Sequence, residues 1–436
     1  MQKNYKSAFI FVTVLFFLWG FITVLVDSLI PRLRDVFTLS YYEAGLIQFS
    51  FFIAYFILSI PAGFILSKIG YKRGIILGLF TMALGCLLFY PAASERILFV
   101  FMLAIFILAG GITILQVAAN PYVSVLGDES GASSRLNLSQ AFNSLGTAIA
   151  PMVGALFILS DKVLQKSEIE ALNEVDRNAY FISEASAVQM PFLSIAAFIV
   201  VLAVLFIFIK LPDVIGEGAK SGGYLSLLSK KGLLLGAIGI FLYVGAEVAI
   251  GSYLVSYFSE MNLSKNILEN DLMRNILGFI FGDKDLSGKD SKAIVGAFVT
   301  FYWTGAMVGR FIGAYLTKVM APSKVLIFFA SGAILLILVS VNTDGLLAMW
   351  SILAVGLFNS IMFPTIFTLS LDGLNESKPQ ASGILCTMIV GGAVIPPLCG
   401  FFADSLGFKI AFLLLTICYV YIAFFGFYKR KTVTIP

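Results

Sequence analysis

Between Leu98 and Val125 the chain carries no charge, yet Thr113, Gln116 and Asn120 recur there at intervals of three and four residues. That spacing sets all three on one helical face. Gly20, Thr23 and Asp27 share a face in the first apolar stretch, and Gln140, Asn143 and Thr147 share one after Arg135. Polar groups at membrane depth are costly, so they turn toward a protein interior or a watery cavity. An amide offers both a donor and an acceptor and can pair with a vicinal diol. Amides accompanied by a carboxylate suit a neutral, hydroxyl-rich solute better than a lipid or a metal ion.

Asp27 reads as a proton site. An ionised carboxylate at that depth costs about 2.5–3.5 kcal/mol, and taking up a proton removes the cost. The plainer alternative is a structural partner for a distant Arg or for backbone amides near the outer helix end. Glu247, in Gly245-Ala246-Glu247, is the other acid well inside an apolar stretch. It is expected to bind a substrate hydroxyl or act as a second coupling group; the alternative is a polar anchor in an outer vestibule. Gln116, Gln140, Asn143 and Asn359 are expected to bind substrate, with an interhelical hydrogen bond as the alternative. Asn120 and Thr23 join this set, although Asn120 precedes Pro121 and can instead cap the backbone freed there. Trp19 and Tyr302 offer aromatic faces to substrate C–H groups. A gating role is expected for Arg310, at a cytoplasmic helix end against Asp372, and for Lys68 and Arg73 against Asp128.

The elements that must position these residues follow from composition. The chain has 436 residues, 59% hydrophobic and 12% charged, with mean hydropathy +0.96. A soluble domain carries about 25% charged residues, so this is an integral membrane protein. A spanning helix needs about 20 apolar residues. Such spans are expected at about 8–30, 44–66, 72–92, 97–125, 136–160, 190–210, 232–258, 293–317, 323–341, 346–371, 380–403 and 408–428. The runs are too long, and alternate too little, for a barrel. Two outer loops, 161–188 and 260–292, are expected to be irregular or short-helical.

Basic residues cluster on one side: Lys68, Lys72, Arg73, Arg135, Lys318, Lys324, Lys378 and both chain ends, against Arg32, Arg34, Arg96 and Lys409 on the other. Positive residues stay in the cytoplasm, so both termini are expected there. The net charge of +4 follows from this placement and points to no nucleic-acid partner. The amino-terminal segment is too long for a signal h-region and lacks a small-residue cleavage site. Cys86, Cys386, Cys399 and Cys418 all fall in apolar runs without paired spacing, as small hydrophobes do. The chain has no histidine, which excludes a histidine relay, a histidine metal site and a Ser-His-Asp triad. No metal or organic cofactor is expected, and the chain does not read as an enzyme.

The halves repeat weakly. Phe17-Leu18-Trp19-Gly20 matches Phe241 to Gly245, and Gly63 to Lys68 matches Gly313 to Lys318. Asn120-Pro121-Tyr122 falls opposite Phe363-Pro364-Thr365, and Pro151 to Gly154 opposite Pro397 to Gly400. The predicted organisation is an amino-terminal six-helix bundle over 1–210, a cytoplasmic linker over 211–231 and a second six-helix bundle over 232–436. Parallel repeats of this kind are a transporter architecture. Glycine and proline pairs in spans 4, 5, 10 and 11 predict bends there.

Three strings, Phe17 to Gly20 with Asp27, Gln116-Val-Ala-Ala-Asn120-Pro121-Tyr122, and Arg135-Leu-Asn137-Leu-Ser-Gln140-Ala-Phe-Asn143-Ser144, resemble the fucose–galactose–glucose proton symporter family of the major facilitator superfamily. The turn Gly63 to Arg73 is similar to that superfamily's loop signature, without its usual Asp at Gly70. The resemblance covers nearly the whole chain. It implies an all-α membrane protein of twelve transmembrane helices in two pseudo-symmetric six-helix bundles. It also implies a secondary active carrier that imports a hexose by alternating access, coupled to protons through Asp27. In the fucose branch a second carboxylate stands where this chain has Gln116, so the pattern resembles the glucose/galactose branch more closely. A sodium-coupled or uncoupled sugar carrier is the alternative, and a drug or lipid exporter of the same superfamily is less favoured. The expected setting is a monomer, multi-pass in a bacterial inner membrane.

Overall fold

The computed structural model describes residues 5–37, 41–95, 97–158, 171–212, 214, 223–282 and 290–433. At 27–37, 41–48, 154–158, 181, 184–188 and 431–433 only the backbone is described. The first part of the chain forms α1 (Tyr5–Phe37), α2 (Tyr41–Ile69), α3 (Tyr71–Glu95), α4 (Leu98–Val125), α5 (Ala132–Ile158) and α6 (Glu174–Phe208). Then come α7 (Tyr224–Leu228), α8 (Lys231–Glu260), α9 (Leu263–Glu269), α10 (Asp271–Phe281), α11 (Ser291–Val319) and α12 (Pro322–Asn342). The chain closes with α13 (Gly345–Asn359), α14 (Met362–Leu371), α15 (Lys378–Thr387), α16 (Gly391–Leu406) and α17 (Phe408–Val433).

Among the described residues, 11 helical stretches are long and apolar enough to cross a membrane. Two of them are compound, α13 with α14 and α15 with α16. The more polar α5, 27 residues long, fills the remaining place in the predicted order. Large apolar side chains such as Phe99 (72% exposed) and Phe208 (78%) lie on the outer faces of these helices. That is ordinary for a surface facing hydrocarbon, where every backbone group is already bonded within its helix.

Helix six starts earlier than its apolar run, at Glu174, inside the stretch expected to be a loop. Asn173 caps it by accepting from the Asp176 amide (2.9 Å), and Glu174 and Asp176 lie in the first turn. Side-chain capping and acidic residues at a helix amino end stabilise a turn that hydropathy does not reveal. In the stretch after α8, the described residues up to Gly282 form two short helices, α9 and α10. Asn270 caps α10 by accepting from the Met273 amide (3.1 Å), and Gly282 ends it at φ 67°, a left-handed conformation that suits glycine. In the linker, Tyr224 donates from its hydroxyl to the Ile60 carbonyl (2.7 Å). Burial pushes its phenol up to about 12, so it remains a donor at neutral pH.

The chain divides into two compact units. The first comprises Met1–Gly127, Phe142–Tyr224 and Gly373–Thr387; the second comprises Asp128–Ala141, Leu225–Asp372 and Met388–Pro436. In the first, α3 packs along α4 and α6, and α15 packs against α2 and α4. In the second, α8 packs against α14, α16 and α17, while α13 packs against α11 and α12. Small residues allow these approaches, as is usual for helices in lipid. A Cβ at Gly356 would run into the Tyr302 backbone carbonyl on α11.

The predicted bends take two forms. Spans 10 and 11 are broken between α13 and α14 and between α15 and α16, whereas α4 runs through Pro121 and α5 through Pro151. A proline lacks the N–H that would reach the carbonyl four residues back. Pro121 thereby frees the Val117 carbonyl, which accepts from Ser382 Oγ of α15 (2.9 Å). Pro364 frees the Ser360 carbonyl, which accepts from Arg310 Nε of α11 (3.2 Å).

Candidate functional site

In the first unit, Gln116 is half-buried on α4, and its Nε2 donates to the Tyr55 hydroxyl on α2 (2.8 Å). That bond fixes which way the amide faces. On α5, Asn143 Nδ2 donates to the Phe16 carbonyl of α1 (2.9 Å). Gly20 lies directly beneath this side chain, with no room for a Cβ. Trp19 is buried and stacks obliquely on Phe16, with ring centroids 5.4 Å apart. Thr23 spends its hydroxyl on the Trp19 carbonyl of its own helix (2.9 Å), and Thr113 bonds its own helix in the same way (2.8 Å). Asn120 is fully buried; the carbonyl freed by Pro121 is met by Ser382. Asp27 belongs to α1, and its side chain lies outside the described residues.

The second unit gathers more of the predicted residues. Tyr302 of α11 donates from its hydroxyl to the Glu247 backbone carbonyl of α8 (3.2 Å) and accepts from Asn359 Nδ2 of α13 (2.7 Å). Glu247 itself is half-buried. Within electrostatic reach stand the Arg310 guanidinium and the Tyr243 hydroxyl, and Tyr302 and Tyr419 feel the carboxylate in turn. Gln140 is buried, and its backbone carbonyl accepts from Arg310 (3.4 Å). The structure therefore brings Glu247, Tyr302, Asn359, Arg310 and the Gln140 backbone together.

Among the expected gating residues, Arg310 stands about two and a half turns before the end of α11, deeper than a helix-end gate. Asp372 is exposed and lies in the electrostatic reach of Lys429, a lysine only 6% exposed near the end of α17. Lys68 is exposed, with its ammonium 4.1 Å over the Phe64 ring. Arg73 and Asp128 are exposed too, and the Asp128 backbone carbonyl accepts from Arg135 (2.8 Å). The four cysteines are buried free thiols.

Sequence reasoning missed Tyr55, Tyr243, Ser382 and Tyr419. Tyr243 precedes Glu247 by four residues, one helical turn, so its face was readable. The other three sit on helices far away in sequence.

The model of the Major Facilitator Superfamily matches residues 7–384. The chain belongs to the Major Facilitator Superfamily. It is similar along its whole length to a glucose/galactose transporter of Brucella abortus, 48% identical over 435 residues, covering 99% of this chain and 96% of that one. Similarity to the L-fucose-proton symporter of Escherichia coli is 34% over 446 residues, covering 99% and 95%. A crystal structure of the superfamily transporter FucP in the outward conformation matches with TM-score 0.86 and 33% identity, over 98% of this chain and 99% of that one. The fold is thus that of a Major Facilitator Superfamily transporter: all-α, multi-pass and not an enzyme.

Proposed function

We propose that this chain is a proton-coupled hexose carrier working by alternating access in a bacterial inner membrane, with both termini cytoplasmic. The observation that carries this reading is the 48% identity with a glucose/galactose transporter over 99% of the chain. The similarity to a fucose-proton symporter supports proton as the coupling ion. The chemistry agrees: Gln116, Gln140, Asn143 and Asn359 are amides in membrane spans. Each can pair with adjacent hydroxyls. Asp27 is the proposed proton acceptor, since a protonated carboxyl can be enclosed without the penalty of a bare charge. A voltage of 100 mV contributes about 2.3 kcal/mol per charge, enough for roughly 50-fold accumulation.

The test is uptake of labelled glucose and galactose into proteoliposomes under an imposed pH gradient, with sodium present or replaced at fixed pH. Accumulation should follow the pH gradient and ignore sodium. Asp27→Asn should lose gradient-driven accumulation while keeping part of its counterflow exchange, because the amide resembles the protonated acid. Uptake indifferent both to the gradient and to Asp27→Asn defeats the coupling claim.

A further inference from the structure

Two opposite charges are set well inside spans of the second unit. Glu247 lies at the middle of α8, and Arg310 lies well inside α11. Around them stand three buried polar atoms with no hydrogen-bond partner: the Tyr243 hydroxyl, Asn359 Oδ1 and the Tyr419 hydroxyl. Their side chains are at most 1% exposed. Buried polar groups are normally satisfied, so three unmatched atoms in the cluster that holds Glu247 and Asn359 need an explanation. Tyr243 faces the Glu247 carboxylate, and Tyr419 faces Asn359. Two hydroxyl donors, those of Tyr243 and Tyr419, thus stand within reach of an acid that is partly open to its surroundings. This geometry suits a carboxyl group with two protonation states and different partners in each.

We propose that Glu247 takes up a second proton in each transport cycle, and that Arg310 is the group that responds to its charge. The proposal rests on the proton-coupled reading above. The proton binds a carboxylate oxygen of Glu247 from water on one side of the membrane and returns to water on the other; no other bond changes. The groups facing Glu247 are Arg310 and Tyr302 from α11, Tyr419 from α17 and Tyr243 from α8 itself. From α16, Ile395 packs on Gly245, while Cys399 and Asp404 lie beside Tyr253, further along α8. Helices α13 and α14 bring no ionisable group to it, only Asn359 near the end of α13.

With Glu247 ionised, Arg310 balances its charge. With Glu247 protonated, the guanidinium is left to the carbonyls that it already holds. Those belong to Ser360, at the break between α13 and α14, and to Gln140 on α5. Proton occupancy at α8 is thereby felt at the break and at Gln140 of α5. Arg310 is a positioning residue in this scheme, and Glu247 the proton site.

The experiment compares wild type with Glu247→Gln in proteoliposomes, measuring protons and labelled sugar taken up in the same sample. The expected ratio falls by about one proton per sugar. At one unit of imposed pH difference, the limiting accumulation then falls about tenfold, the effect of one proton on the equilibrium. Wild-type uptake that ignores the gradient defeats the proton-coupled reading itself. Wild-type uptake that follows the gradient, with an unchanged ratio in Glu247→Gln, overturns the Glu247 assignment alone. Where Glu247→Gln does not fold, Glu247→Asp retains an acid at the position. A folded Glu247→Asp carrier with the wild-type ratio supports the proposal, and one that has lost a proton per sugar overturns it.

Discussion

Gln116 shows how a single amide in a membrane span is oriented by a neighbouring helix. Its bond to Tyr55 (2.8 Å) uses one N–H and orients the carbonyl oxygen. A neutral hydrogen bond contributes about 0.5–1.5 kcal/mol net. Gln116→Ala should therefore raise the KM for sugar between about twofold and tenfold, read from initial uptake rates. Tyr55→Phe, which loosens the amide without removing it, should have the smaller effect. Tyr302→Phe is a different case, because it strands the Asn359 amide in a buried site. An unsatisfied buried donor costs about 1–3 kcal/mol, so the variant should melt earlier in detergent whether or not sugar is present. Gln116 was legible in the sequence because it shares one helical face with Thr113 and Asn120 in a charge-free run. Tyr55 was not, since it sits among Phe51, Phe52 and Phe56, and a phenol in aromatic surroundings gives no contrast. Asn359 was found through the internal repeat, but its partner Tyr302 was expected to act through its ring and is seen acting through its hydroxyl.

Among the elements, the repeat appears as a shared solution to a shared problem. Pro121 and Pro364 each remove one backbone donor, and each orphaned carbonyl is served from a neighbouring helix, by Ser382 and by Arg310. The first helix stays continuous and the second breaks after Asn359. Interhelical hydrogen bonds in membranes average about 0.6 kcal/mol. Ser382→Ala should lower the melting temperature slightly. Adding Pro121→Ala supplies the missing N–H and should recover most of that loss. A double-mutant cycle checks this, and additive losses would count against the account. The prolines and their bends were readable from sequence, but the donors were not. Ser382 lies 265 positions from Val117, beyond the reach of any local pattern. Likewise, the amino end of α6 was hidden because its stability comes from a cap and not from hydropathy.

For the whole molecule, whole-length similarity to sugar carriers makes ligand-dependent stability a direct check. A ligand bound only by the folded state, at 100 times its Kd, adds about 2.7 kcal/mol. A panel of hexoses should raise the melting temperature by several degrees for one or a few epimers, while sugar-free osmolytes at equal concentration should not. Gln116→Ala should shrink that shift. The all-α, multi-pass architecture was legible because hydropathy over 436 residues leaves few alternatives. The membership of the compact units was less so. Gly373–Thr387 belongs with the first unit and Asp128–Ala141 with the second, and composition carries no trace of either assignment. The first of these facts bears on biogenesis. Translation runs at about 5–20 residues per second, so the ribosome reaches α15 on the order of ten seconds after finishing α6. Until then the Val117 carbonyl lacks Ser382, and the nascent amino-terminal helices are missing one element of their compact unit.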